Sequence, residues 1–373
     1  MSFKNYYYQQ IYRYMRFFKR GYIVFNNRRK QRYNTTDLIG YCKEYNQVEH
    51  TNEFQNENAY YGTSNIFKNY SGYKGVITAN IEHGVYFDAD TFELERYNLP
   101  CVITLGSNRY KDLLSLTDKP VFTVGPYIRY LKDVESKYQL KELKKELGRV
   151  ALVFPAHGIE NIDVEYSFEN FISFIERIKR EQKIETVLIS LYFRDVNKFA
   201  SKYENLGYKV VCSGHRNDLD FLYRQYAYFS LADMVVTNGV GTHIGYAMAL
   251  EKPISFYDQK VVKTASVGSS AEEALTYSDK KLEEQNMRII TEAFKGINTT
   301  ITEEQRKIVT EYWGLDKLRS PAYIRKVLEI SEFVFRKSRF SNKSYRELYL
   351  DYAANTDDEE SKEIIYCALN INR

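Results

Sequence analysis

The sequence is poor in the residues that build specialised scaffolds. Its four cysteines stand far apart, at positions 42, 101, 212 and 367, and form no CxxC pair. That spacing excludes a disulfide framework and a zinc finger or ribbon, and thiols of this kind fit a reducing compartment. Proline occurs six times and tryptophan once in 373 residues, and no low-complexity linker or internal repeat breaks the chain. No apolar run approaches the roughly 20 residues that span a bilayer. No leader with a small-residue cleavage site is visible, so the expected location is cytoplasmic. Surplus charge is scarce too. The net charge is +4, with the basic residues spread out and no groove-reading motif, which argues against a nucleic-acid partner.

What the chain does have is an ordinary globular balance, 44% hydrophobic and 27% charged, and an unusual 35 tyrosines. Length and composition allow two or three domains, each with its own core. The first residues, "YYYQQIYRYMRFFKRGYIVF", place Tyr7, Ile11, Met15 and Phe18 on one helical face with Lys4, Arg13, Arg16, Lys19 and Arg20 around it. Such a helix packs on its own domain or rests on a membrane interface, so residues 1–20 are a candidate contact with the inner membrane surface.

Strand-like and helix-like segments then alternate. "TTDLIGYCKEYNQ" reads as a capped helix, "GVITANIEHG", "PCVITLGSN" and "PVFTVGP" as strands, and "NRYKDLLSL" as a helix. "ESKYQLKELKKELGR" is charged, lacks a clear apolar stripe and reads as the connection between halves. Five further strands follow: "VALVFPAHG", "TVLISLYF", "YKVVCSG", "DMVVTNG" and "KPISFY", joined by four helical segments. From about residue 271 the pattern is helical. Thr302 with Gln305 forms a capping box, Gly314 a stop and Ser320-Pro321 a start, and "TDDEESKE" opens the last helix. The expected fold class is α/β, with two Rossmann-like, doubly wound domains facing a cleft and a helical C-terminal tail.

Open parallel sheets bind ligands beyond the carboxyl ends of their strands. Four of the five histidines fall at such ends: His83 in "IEHG", His157 in "FPAHG", His215 in "CSGHR" and His243 in "NGVGTH". In "TNGVGTHIGYAMALEKPI", residues 237–254, Asn238, Gly239 and Gly241 make a turn, and Thr242 and His243 begin a helix. Unpaired N–H groups and the dipole make a helix start a seat for phosphate. The dipole offers up to about 2 kcal/mol when partly buried. That is too little to hold a diphosphate alone, so Arg194, Arg216 and Thr242 are candidates to help. The acidic triplets "DAD" at 88–90 and "DLD" at 218–220 read as a loop and as a helix cap through Asp218. No metal site and no cofactor are expected.

The stretch 237–254 resembles the donor-side segment of GT-B glycosyltransferases, in which a glycine turn opens a helix ending in a pattern like "A-L-x-x-K/G-P-I". "IEHG" and "FPAHG" resemble loops of bacterial surface-polysaccharide (capsule, O-antigen) enzymes, including the CDP-glycerol glycerophosphotransferases. The likeness covers roughly residues 149–258, and in the N-terminal half rests mainly on "IEHG". The resemblance implies an acceptor domain over 1–135, a nucleotide-donor domain over 149–270 and a tail over 271–373 packing on both. It implies His83 as general base with Glu82 as its orienter or substitute, and His157 and His243 on the donor phosphates. His215 and Arg216 join the donor set. Many GT-B enzymes carry an acid in the donor helix. Here that turn holds Gly245, Tyr246 and Ala247, and the first acid is Glu251. The implied activity is metal-independent, inverting glycosyl transfer from a nucleotide-sugar donor to a glycan or lipid-linked acceptor. Glycerophosphate transfer, sugar-nucleotide epimerisation and a non-catalytic scaffold of an assembly complex share the same architecture.

Overall fold

A computed structural model describes residues 38–42, 53–89, 94, 98–158, 162–265 and 280–371. The helix expected over residues 1–20 lies outside them. Among the described residues no helix is long and apolar enough to cross a membrane.

The first half holds helix α1 (Thr63–Ser71), strands β1 (Asn80–Ile81) and β2 (Val102–Thr104), helix α2 (Ser107–Leu116) and strand β3 (Val121–Thr123). The strands pair in parallel in the order β1-β2-β3. β1 and β2 are wholly buried, as continuous apolar runs in a covered parallel sheet must be.

The charged connection is helical: α3 (Val134–Tyr138) and α4 (Leu140–Leu147), broken at Gln139, whose φ is +50°. Only Val134, Leu140 and Leu147 of these two helices are buried, which is why no apolar stripe shows in the sequence.

Then follow β4 (Val150–Phe154), β5 (Ile162–Glu165), α5 (Phe168–Glu181), β6 (Thr186–Ser190), α6 (Val196–Glu204), β7 (Lys209–Val211), α7 (Phe221–Leu231), β8 (Met234–Thr237), α8 (Thr242–Ala249) and β9 (Ile254–Phe256). Five of these strands form one parallel sheet in the order β7-β6-β4-β8-β9, which is the doubly wound order with its switch point between β4 and β8. Alternation along β4 sorts its side chains to two cores. Ala151 and Val153 pack with Phe171 and Ile175 of α5 and with Ala200 of α6. Val150 and Leu152 pack with Phe229 of α7 and Ile244 of α8 on the opposite face. A small antiparallel pair, β5 with β10 (Val262–Ala265), was not foreseen in the sequence.

The helical tail comprises α9 (Lys280–Phe294), α10 (Glu303–Trp313), α11 (Pro321–Lys337), α12 (Tyr345–Asn355) and α13 (Glu359–Ala368). The Thr302–Gln305 capping box is present, Gly314 ends α10 at φ +68°, and Ser320 caps α11 at the Tyr323 amide. α10 packs on α8 of the second half and α2 of the first, while α11 packs on α1. One core therefore runs through Ile81, Ile103, Leu152, Val235, Val309 and Trp313 and joins both halves.

Two local expectations fail. Residues 38–42 of "TTDLIGYCKEYNQ" are not helical. Their carbonyls are spent on the second half: Leu38 accepts from the Tyr228 hydroxyl at 2.9 Å, and Gly40 from the Cys212 amide at 3.2 Å. Asp218 does not cap α7 in the usual way. Its carboxylate pairs with Arg224 and accepts from the Asp220 amide at 2.9 Å, before the helix begins.

Candidate functional site

β1 ends at Ile81, whose amide donates to Asn58 Oδ1 at 2.8 Å, and the "EHG" loop begins. Glu82 does not point at the loop histidine. Both of its oxygens are engaged elsewhere: Oε1 by Arg109 Nε at 2.8 Å and Nη2 at 2.7 Å, and Oε2 by the Thr104 hydroxyl at 2.6 Å. Both side chains of the ion pair are about 3% exposed. Glu82, expected as the orienter or substitute of His83, is thus held in a buried pair with Arg109. Arg109 in turn lies 4.8 Å over the Tyr86 ring, and the Tyr86 hydroxyl meets His83 Nδ1 at 3.3 Å.

His83 is half-buried among aromatic rings. Tyr60 lies edge-on at 5.4 Å, Tyr86 at 5.8 Å and Tyr61 at 6.3 Å. The sequence reading missed all three tyrosines. Their only signal there was the chain's general wealth of tyrosine.

The loop closes on the second half at α8. The Val85 amide donates to Thr242 Oγ1 at 3.2 Å, and a Cβ on Gly84 would lie 2.8 Å from that oxygen. No side chain caps the first turn of α8, where Gly241 is the N-cap. Gly241 itself is extended (φ −176°), a conformation any residue adopts. At Gly239 a Cβ would sit 3.1 Å from Ala156 Cβ, a tight contact that leaves little room for a side chain. Asn238 is 1% exposed; its Oδ1 accepts from the Ala156 amide at 2.6 Å and its Nδ2 has no partner. A buried amide N–H without a partner is costly, and it stands beside the turn that leads into α8.

The His243 ring, expected at the donor phosphates, is held against the end of β4. It stacks on Phe154 at 4.8 Å, and Nε2 meets Thr237 Oγ1 at 3.1 Å. The Thr237 hydroxyl also reaches the Phe154 carbonyl at 2.9 Å and the Gly239 carbonyl at 3.0 Å. His243 Nε2 and the Thr237 hydroxyl share one hydrogen bond, whose direction follows the imidazole tautomer. Burial, and then the nearby His157, push its pKa down to about 3.

His157 is exposed, stacks on Tyr192 at 4.7 Å and has Nδ1 2.8 Å from the Gly158 carbonyl. Next to it Asp195 is raised above the usual carboxylate range by burial, against the opposing pull of His157 and Lys198. Arg194 lies 5.8 Å from the Phe193 ring. His215 is 4% exposed, packs on Phe193 at 4.5 Å and accepts the Asn217 amide at Nδ1, 3.2 Å away. Those contacts give His215 a role in holding its loop. Arg216 crosses to the first half: its guanidinium lies 4.7 Å over Tyr60 and its carbonyl accepts from the Tyr61 amide at 2.5 Å.

The structure therefore brings His83, Thr242 and Arg216 together across the two halves, and His157 toward His243. Arg194 and His215 gather on the Phe193 side. Cavities of about 420 Å³ beside α10 and about 1130 Å³ beside α3 and α4 contain none of these residues. The first is lined mainly by charged side chains and the second by charged ones mixed with Leu131, Val134, Leu140 and Tyr226, whereas the chemistry-bearing groups sit at the strand ends. Among the described residues no three His, Cys, Asp or Glu side chains gather into a metal-binding group.

The departure at Gly245 also has a physical cause. A Cβ there would lie 2.0 Å from Trp313 Cδ1, so a carboxylate in that turn has no room.

No family model matches the chain, and no curated protein matches it in sequence. Among solved structures it is similar to Staphylococcus aureus MnaA with UDP, at 11% identity, 76% of this chain, 82% of that one and a TM-score of 0.34. A Listeria monocytogenes protein assigned as a UDP-N-acetylglucosamine 2-epimerase matches at 10% identity over 76% of this chain and 80% of that one, with a TM-score of 0.26. Superpositions this loose do not bear on activity, and the fold rests on the strand order itself.

Proposed function

We propose that this chain is an enzyme acting on nucleotide-activated sugars, with the donor phosphates at the start of α8 and the reacting sugar between that start and the His83 loop. The observation that supports the reading is the contact of Val85 N with Thr242 Oγ1 at 3.2 Å, which joins the loop that carries His83 to the uncapped start of α8. Unsatisfied N–H groups and the helix dipole favour an anion at that place. The unpartnered Nδ2 of the buried Asn238 supplies a further donor at the same turn.

The reaction we favour is transfer of the sugar to a hydroxyl of a glycan or lipid-linked glycan. His83 takes the acceptor proton as the oxygen attacks the anomeric carbon. The bond from that carbon to the phosphate oxygen breaks, and the nucleoside diphosphate leaves with its new charge at the α8 amides. A placed base of this kind contributes roughly 10²–10⁴-fold. Residues 1–20, outside the described residues, are the proposed membrane contact for a lipid-linked acceptor.

The test is calorimetry with UDP, GDP, CDP and ADP, followed by product analysis with the matching sugar nucleotides. Thr242→Tyr should weaken nucleotide binding. His83→Ala should remove turnover and leave nucleotide affinity nearly intact; equal loss of both would sink the base assignment. A sugar nucleotide returned as its epimer with no acceptor present would replace transfer by isomerisation.

A further inference from the structure

A short strap of the first half crosses to the second at the candidate site. Residues Asn56–Gly62 form a 3-10 turn that is interrupted at Tyr60 (φ −55°, ψ 137°) and Tyr61 (φ +61°, ψ 13°). Gly62 follows at φ +79°, and a Cβ there would lie 2.4 Å from the Leu219 carbonyl oxygen, so that position needs glycine. Tyr61 is different. A left-handed backbone suits glycine, and a tyrosine there is strained. The strap is held at both ends: Asn58 Nδ2 donates to the Ala79 carbonyl at 2.8 Å in the first half, and the Tyr61 amide donates to the Arg216 carbonyl at 2.5 Å in the second.

The strained residue keeps its ring in a defined place. Tyr61 packs 4.6 Å from Phe221 and 6.3 Å from His83, and Tyr60 stands 5.4 Å from His83 under the Arg216 guanidinium. Both tyrosines are half-buried. A glycine at 61 would serve the backbone better, and what singles Tyr61 out from the other positive-φ residues is that its ring stands beside His83.

We propose that Tyr60 and Tyr61 form a subsite for a pyranose ring beside His83. The ring's C–H face packs on aromatic surface, and its hydroxyl edge meets the polar atoms of His83 and Arg216. This rests on the nucleotide-sugar reading and deepens it by naming which part of the substrate the strap holds.

The experiment is saturation-transfer NMR on the full chain, irradiating aromatic protons, with methyl glucopyranoside, methyl galactopyranoside and methyl N-acetylglucosaminide at millimolar concentration. The wild type should transfer saturation to at least one of them. Tyr61→Gly, which retains the left-handed backbone, and Tyr60→Leu should each weaken that pyranoside by about fivefold or more, within what an aromatic contact supplies. Tyr60→Phe should retain it. The subsite is overturned if no pyranoside is saturated by the wild type, if both variants bind as the wild type does, or if uridine displaces the pyranoside. Nucleotide binding, measured separately on the same samples, reports the α8 phosphate seat. Absence of binding of UDP, GDP, CDP and ADP by the wild type refutes that seat and leaves the pyranose result to decide the strap.

Discussion

Arg109→Met tests whether the Glu82–Arg109 pair is an anchor or a piece of catalytic machinery. The variant keeps a long apolar side chain but removes the cation 2.7–2.8 Å from Glu82 Oε1. The Glu82 carboxylate, 3% exposed, would retain the Thr104 hydroxyl as a side-chain donor. Breaking a buried pair from one side costs about 3–5 kcal/mol. With an unfolding entropy of about 2.1 cal/mol/K per residue, the 373-residue chain changes by about 0.8 kcal/mol/K at its midpoint if it melts as one unit. The expected fall in Tm is therefore about 4–6 °C. Adding Glu82→Gln removes the stranded charge, so the double variant should recover most of the loss. Calorimetric melting of the wild type, both single variants and the double variant gives the full cycle. An Arg109→Met melt within about 1 °C of wild type would refute the anchoring role. So would a Glu82→Gln protein of unchanged stability that has lost all turnover, since that pattern belongs to a carboxylate acting on the reaction.

His243 makes stability depend on pH. Its pKa is lowered to about 3 in the fold, against about 6.5 when unfolded. Between those values the unfolded chain binds the extra proton, so this contribution is complete above about pH 6.5 and is lost as pH falls toward 3. The slope is at most about 1.4 kcal/mol per pH unit, and less because the ring keeps some exposure. His243→Gln should flatten the melting profile between pH 6.5 and 4; an unchanged profile would place the titration elsewhere. Gly245→Ala should destabilise by about 1–3 kcal/mol through overpacking, because its Cβ would lie 2.0 Å from Trp313 Cδ1. A wild-type melt for that variant would show that α10 can move off α8.

The second half was well legible in the sequence. Each of its five parallel strands is a short apolar run closed by glycine or a polar turn, and β4 and β8 are buried end to end. Such runs have few other ways to satisfy both faces of a covered sheet. Caps were legible for the same local reason: Thr302 with Gln305 and Ser320 with Pro321 act within one turn of chain. Where structure depends on distant partners, the reading was poorer. Residues 38–42 gave up a helix to dock on Cys212 and Tyr228, and α3 and α4 bury too few apolar residues to announce themselves.

The site divides along the same line. The sequence by itself determined that histidines and a glycine turn stand at strand ends, because chain order and apolar periodicity place them there. Which polar groups remain for chemistry was decided by tertiary contacts between residues remote in sequence. Arg109 claims Glu82, Thr237 and Phe154 claim His243, and Phe193 packs on His215. Tyr60 and Tyr61 came to His83 only through a strap whose amide bonds the Arg216 carbonyl. A side chain's protonation state and free atoms depend on what the fold packs against it, and local pattern carries no record of that.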